Sequence, residues 1–296
     1  MLSTPAAAQL ATLFERACRL DVEALKPGNV GLHGDGHRMQ VDDFIASARA
    51  AAAPLCRPDA TVGERIEDAM RATWQAVGCN TNLGIVLGCA PIAHAALHRN
   101  SDETLRASLQ RTLAGLTVID ASHAYAAIRL AHPAGIGERA EHDVAQAPVI
   151  TLLEAMQLAA HRDSIASLYA SGHALVFDHL LPKYVAARRR WCSEAWAATT
   201  VFMFCLALIP DTHIARKHGA ETARLIREKG VQMYVRLEQC GDPVMMQDAL
   251  MAWDAELKSA GINPGTSADL TVVTAFMGGV LDWIEGRHEE QQKKKF

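Results

Sequence analysis

The chain is poor in aromatic residues, has no paired-cysteine motif, carries no excess of positive charge and lacks alternating runs of β-branched residues. Aromatics make up 5% of its 296 residues, and without a period-2 pattern there is little from which to build a sheet. The seven cysteines, Cys18, Cys56, Cys79, Cys89, Cys192, Cys205 and Cys240, are scattered. An odd count with no CxxC pair and no secretory leader reads as reduced thiols in a cytoplasmic protein. Neither HExxH nor a Cys/His ligand spacing is present, which argues against zinc. A net charge of −4 and a pI near 6.3 argue against duplex nucleic acid as the main partner, because that task needs a basic field. The opening MLSTPAAAQLATLFERACRL has no basic leader region and is charged by Glu15, so it reads as a first helix. No uncharged apolar stretch reaches about 18 residues, so no membrane span is expected. A repeat at roughly 20 to 50 residues is also missing, as is any linker that would split the chain.

What is abundant is alanine and helical periodicity. Hydrophobic residues form 50% of the chain, enough for a packed core, and they recur at i, i+3, i+4 and i+7. The expected fold is all-α, a single multi-helix domain over residues 1–286 with a charged tail at 287–296. The pattern predicts helices over 4–25, 40–55, 61–76, 82–98, 102–118, 120–131, 148–171, 172–188, 192–208, 214–239, 243–260 and 267–286. Asp59, Thr61, Asn80, Ser101, Ser171 and Ser267 stand where N-caps are expected, and Pro27, Pro133, Pro210 and Pro264 stand between helices.

The polar residues gather at five junctions: EALKPGNVGLHGDGH (23–37), GCNTNLG (78–84), RLAHPAGIGERAEHDV (129–144), PDTHIARKHG (210–219) and GINPGTSADL (261–270). A helical bundle needs short turns, not clusters so rich in ligand groups. Helix ends meeting at one cleft would offer N–H groups and cations to anions and carboxylates to a metal. In the first junction, Pro27, Gly28 and Asn29 serve equally as a plain helix stop, but Lys26 is not needed for one. Glu23, one turn earlier, is a candidate base or metal ligand. Asn80, Thr81 and Asn82 open an apolar helix; one cap suffices, and three suggest a ligand. Asp120 is either a surface carboxylate or a partner of Asp143 across a glycine-bearing loop, where two acidic groups could share a cation. Asp211 reads as a cap or a metal ligand. Arg216, Lys217 and His218 read as cations in the first two turns of a helix beginning near Asp211, opposing its dipole unless a polyphosphate with Mg²⁺ docks there.

The same junctions resemble the triphosphoribosyl-dephospho-coenzyme A synthases, the family that makes the prosthetic-group precursor of citrate lyase and malonate decarboxylase. The matching pieces run in order: Lys26-Pro27-Gly28-Asn29-Val30, Asp43-Phe44 with Ser47-Ala48, and Asn80-Thr81-Asn82 with Gly84. They continue with Asp120-Ala121, Ala127-Ile128-Arg129, Gly135-Ile136-Gly137, Asp143-Val144, Pro210-Asp211-Thr212 and Pro264 to Leu270. The resemblance implies an all-α enzyme that takes the triphosphoribosyl group of ATP to the 2′-hydroxyl of 3′-dephospho-coenzyme A and releases adenine. Such a reaction needs a base, an acid and Mg²⁺ or Mn²⁺; the expected metal ligands are Asp143, Asp211 and Asp269, and the expected catalytic carboxylates are Glu23, Asp120 and Asp143, with acid and base left unassigned. Substrate contacts are expected from Lys26, Asn29, His33, Asn80, Thr81, Asn82, Arg129, His213, Arg216, Lys217 and Ser267.

Two motifs depart from the citrate-lyase members. Asn82-Leu83 replaces their His-Lys, and Arg38-Met39 follows Gly36-His37 where they have Asp-Met. The Asn-Thr-Asn form looks like members in archaea and one-carbon-metabolising bacteria. An alternative reading therefore keeps the chemistry and moves the acceptor to an intermediate of a pterin or furan C1 carrier. A third is a helical nucleotide- or anion-binding protein without activity. All three expect small-molecule ligands, no nucleic-acid or membrane partner, and are compatible with a homodimer.

Overall fold

The computed structural model describes residues 4–34, 39–131 and 146–293. Helix α1 (Pro5–Glu23) starts at Thr4, whose hydroxyl accepts from the Ala7 amide, with Pro5 at the first helical position. Next come α2 (Val41–Leu55), α3 (Val62–Val77), α4 (Leu83–Leu97), α5 (Leu105–Ala114) and α6 (Val118–Ala131). Then follow α7 (Leu152–Ala159), α8 (Ser164–Ala170), a π-helical turn over Val176–Leu180, α9 (Leu181–Trp191) and α10 (Glu194–Leu208). The last elements are α11 (Thr212–His218), α12 (Ala220–Gln239), a 3₁₀ turn over Pro243–Met246, α13 (Gln247–Ser259) and α14 (Gly265–Lys293). The fold is all-α, with no β-strand among the described residues; Gly31 and Gly34 form an isolated bridge.

Where the expected helices differ, local chemistry explains it. The stretch 148–171 is two helices because Asp163 turns its side chain onto the Ile165 and Ala166 amides, capping α8 and ending the helix before it. The stretch 214–239 breaks at Gly219, whose φ of +90° suits glycine. Thr104, not Ser101, caps α5, and α14 begins at Gly265, so Ser267 lies inside it. Thr61 caps α3 as expected, with Glu64 completing a capping box. The charged run expected as a separate tail continues α14 as helix to Lys293.

Two apolar clusters hold the helices together. The larger joins α1, α2, α4 and α14 through residues such as Phe14, Leu55, Ile92 and Phe276, with Phe14 edge-on to Phe276 at 5.9 Å. The smaller gathers Leu25, Phe202, Leu206, Leu237, Leu250 and Trp253. Helix α10 serves both, presenting Ala198, Val201 and Cys205 to one and Phe202, Met203 and Leu206 to the other, which is why its sequence is apolar all round. Helix α14 is long and apolar enough to cross a membrane by composition, but 67% of that stretch is buried inside the protein, as befits a core helix. Its N-terminus and those of α4 and α11, together with the loop after α1, form the region described next.

Candidate active site

The loop after α1 begins where Pro27 removes an amide and Gly28 turns with φ +83°. A Cβ at Gly28 would stand 2.8 Å from Pro264 Cδ and 2.9 Å from the Ile262 carbonyl, so the loop lies directly on the segment before α14. Lys26 is 3% exposed; its ammonium pairs with Asp21 and donates to Asn29 Oδ1 at 2.7 Å. Burying that charge is tolerable because it is paired and hydrogen-bonded. Asn29 Nδ2 donates to Asn263 Oδ1 at 3.0 Å, tying the first junction to the fifth. Glu23 is half-buried, and its carbonyl lies 3.3 Å from the exposed His33 Nε2.

At the second junction the N-cap of α4 is Asn82, whose side chain makes no capping bond, and Asn80, expected in that place, instead accepts from the Leu83 amide on its Oδ1 from two residues further back. Thr81 donates to Ser47 Oγ at 2.6 Å, and Asn82 Nδ2 to Thr73 Oγ1 at 3.1 Å. Asn82 Oδ1 is buried without a partner. Gly84 has no room for a side chain: its Cβ position would lie 2.1 Å from Asp269 Oδ2. The N-terminus of α4 is therefore already met by a carboxylate, which its dipole favours. The anionic ligand expected there from sequence would have to share that space with Asp269.

Asp211 is 1% exposed and fully engaged. Its Oδ1 accepts from the His213 and Ile214 amides, and its Oδ2 from the Ser267 amide and hydroxyl at 2.8 Å each. Burial pushes its pKa up, and those donors oppose the push. With both oxygens filled, Asp211 clamps α11 to α14 in this arrangement and leaves no lone pair for the metal expected of it. Asp269 differs. It keeps partial exposure and has no hydrogen-bond partner among the described residues, and desolvation with the like charges of Asp21 and Asp211 drives its pKa well up. Lys26 and Arg216 pull the other way.

The basic cluster lies at the opposite end of its helix from the one expected. Helix α11 is only seven residues long, so Arg216, Lys217 and His218 form its last turn, where cations favour the dipole rather than oppose it. Arg216 pairs with Asp163 at 2.5 Å, and Lys217 and His218 lie 3.4 and 3.1 Å from the Gly261 carbonyl. The His213 amide reaches Thr266 Oγ1, and its ring packs 3.4 Å from the Cβ position of Gly265.

Four of the five junctions thus touch one another through Lys26, Asn29, Gly84, Asp211, Ser267 and Asp269. The remaining candidates lie elsewhere or out of view. Asp120, expected to be catalytic, accepts from the Gly63 amide and from both the amide and hydroxyl of Thr117. Burial raises its pKa, those bonds outweigh the effect and the net direction is down, so it fastens α6 to the start of α3. Arg129 lines a separate cavity of about 290 Å³ with Glu67, Arg71, Ala126 and Leu130. Asp143 lies outside the described residues, so its pairing with Asp120 is not on view. Among the described residues no three His, Cys, Asp or Glu side chains are placed to share a metal ion.

Sequence reading missed Asp21, Asn263, Asp163, Asp254 and Lys258. Asp21 carried a signal: it falls in register with the core positions Leu10, Phe14 and Ala17, where a carboxylate calls for a buried partner.

Comparison with known proteins points to one family. The crystal structure of a protein described as a "putative triphosphoribosyl-dephospho-coA synthase" from Archaeoglobus fulgidus shares the fold, with a TM-score of 0.63 and 21% identity, over 79% of this chain and 97% of that one. A Vibrio cholerae protein named "probable 2-(5''-triphosphoribosyl)-3'-dephosphocoenzyme-A synthase" is 26% identical over 298 residues, covering 89% of this chain and 85% of its own. A protein of the same name from Citrobacter koseri is 26% identical over 118 residues, 37% of this chain and 36% of its own. Residues 7–288 match the family described as ATP:dephospho-CoA triphosphoribosyl transferase, and the chain, which carries that family's all-α fold, belongs to it.

Proposed function

We propose that this transferase moves the triphosphoribosyl group of ATP to the 2′-hydroxyl of 3′-dephospho-CoA and releases adenine. The C1′–N9 bond of ATP breaks, a bond from C1′ to the acceptor oxygen forms, and the acceptor's hydroxyl proton is matched by the proton adenine takes up. The observation that carries the reading is the meeting of four junctions around Lys26 and Asp269 in a chain of this family. Positive charge develops at the ribose, so nearby carboxylates favour the transition state, while the triphosphate needs cations.

Mg²⁺ or Mn²⁺ fits the donor chemistry. Asp269 offers a carboxylate without a hydrogen-bond partner beside two like charges, and magnesium is held by one or two carboxylates plus substrate phosphates. When bound, the ion would neutralise the triphosphate. Lys26, Arg216 and Lys217 are the cations nearest that role. Glu23, one turn before Lys26, is the candidate base, with Asp143 a second candidate; the saturated Asp120 supports the helices instead. A cytoplasmic enzyme with small-molecule substrates, with no nucleic-acid or membrane partner, accompanies this reading, and a homodimer is its assembly to test.

Incubation with ATP, Mg²⁺ and 3′-dephospho-CoA is expected to yield free adenine and an acceptor heavier by the triphosphoribosyl group. Adenine formed only with a different acceptor would move the substrate to C1-carrier chemistry. No adenine with any acceptor would overturn the transferase reading in favour of a binding protein.

A further inference from the structure

Helix α13 lies outside every motif singled out in the sequence, yet its last turns reach the Lys26 loop twice. Asp254, 7% exposed, accepts the Gly28 amide on Oδ1 at 2.8 Å. Its Oδ2 accepts from Lys258 Nζ at 2.9 Å, and the same ammonium donates to the Gly34 carbonyl at 2.7 Å. One ion pair, spaced i to i+4 on a single helix, therefore grips the loop at both Gly28 and Gly34. Between the grips, Gly31 and Gly34 exchange two backbone hydrogen bonds, and the Leu32 amide reaches the Val22 carbonyl at 2.8 Å. This leaves Leu32, 64% exposed, and His33 at the tip of a tight hairpin. The first grip sits one residue from Asn29, which accepts from Lys26 and donates to Asn263.

We infer that Asp254 and Lys258 are positioning residues: they fix the Lys26–Gly34 loop so that Lys26 and the His33 tip are held for substrate. The inference rests on the function proposed above for its turnover consequence, but the pinning itself does not. The charge matters on physical grounds. Lys258 donates to a carbonyl and a carboxylate at once, a part-buried arrangement that a neutral stem cannot reproduce, and displacement of a positioned group by about 1 Å can cost as much as about a hundredfold in rate.

The test uses the full chain with Lys258→Met, Lys258→Arg and Asp254→Asn. Hydrogen–deuterium exchange is read at the Gly28, Leu32 and Gly34 amides, alongside thermal melting and adenine-release kinetics with ATP and 3′-dephospho-CoA. In Lys258→Met, exchange at those amides is expected to rise at least about tenfold while core amides of α4 and α14 stay put, since the loop opens locally and not globally. Turnover per KM is expected to fall by about tenfold or more, and Lys258→Arg to recover most of it. Asp254→Asn, which keeps an acceptor for Gly28, is expected to loosen Gly34 more than Gly28. Unchanged loop exchange in Lys258→Met, or turnover unchanged despite faster exchange, would overturn the inference. If the wild type releases no adenine at all, the proposed function fails instead, and the exchange arm still decides whether the pair pins the loop.

Discussion

A carboxyl group whose pKa is raised in the folded chain adds a pH-dependent part to stability that is fully present only while it is protonated. Asp269 and Asp211 are both shifted upward, so their contribution is present at low pH and is lost as pH rises from the ordinary carboxylate range through the raised value. Asp120 is shifted down and acts oppositely, losing its contribution as pH falls. Removing the charge at Asp269 is accordingly expected to stabilise the metal-free protein: Asp269→Asn should gain about 0.5–2 kcal/mol near neutral pH, with the gain shrinking in acid, while adenine release is lost. A melt across pH and an activity assay on the same variant check this. Lost stability with retained activity would make Asp269 a structural residue.

Asp211 is expected to behave in reverse. Asp211→Ala leaves the Ser267 and Ile214 donors without their Asp211 acceptor, while the His213 amide keeps Thr266 Oγ1, and each buried donor left unpaired costs about 1–3 kcal/mol. Denaturant unfolding should show the loss, and Asp211→Asn should recover part of it by retaining one acceptor oxygen.

Among the elements, the start of α4 shows how two helices build one feature. Gly84 is absent of side chain where Asp269 needs space. Gly84→Ala must push that carboxylate aside, so activity should fall by about a hundredfold with a stability cost within the roughly 1–3 kcal/mol of an overpacked site. Kinetics and melting on this one variant check it, and full activity would detach Asp269 from the chemistry. At α11, Arg216→Ala and Lys217→Ala are expected to weaken ATP binding by about 1.5–3 kcal/mol if they hold phosphate, against about 0.5 kcal/mol or less for surface charges. Calorimetry distinguishes the two.

Over the whole molecule, helical periodicity and breakers carried most of the architecture, because apolar spacing is written locally along the chain. Local pattern does not carry partnership. The KPGN and PGTSAD stretches could be recognised as polar junctions, but that Asn29 meets Asn263 or that Gly84 makes room for Asp269 depends on residues 185 to 234 positions apart. The basic residues after Asp211 were misread for a related reason: the stop at Gly219 sets the length of α11, and length decides which end of the dipole a cation occupies. Lys258 escaped notice because an i, i+4 Asp–Lys pair on a helix usually belongs to a solvated face.

The central claim is that the junction cluster around Lys26 is the catalytic centre and not a structural knot. The double variant Asp21→Asn with Lys26→Met tests it most directly, since it removes the buried ion pair without leaving either charge unpaired, an exchange that is often neutral for stability. Adenine release from ATP in the presence of 3′-dephospho-CoA is measured beside the melting temperature of the same protein. The account predicts a folded protein with its melting temperature nearly kept and adenine release reduced by at least about a hundredfold. A folded double variant that releases adenine at the wild-type rate would contradict it.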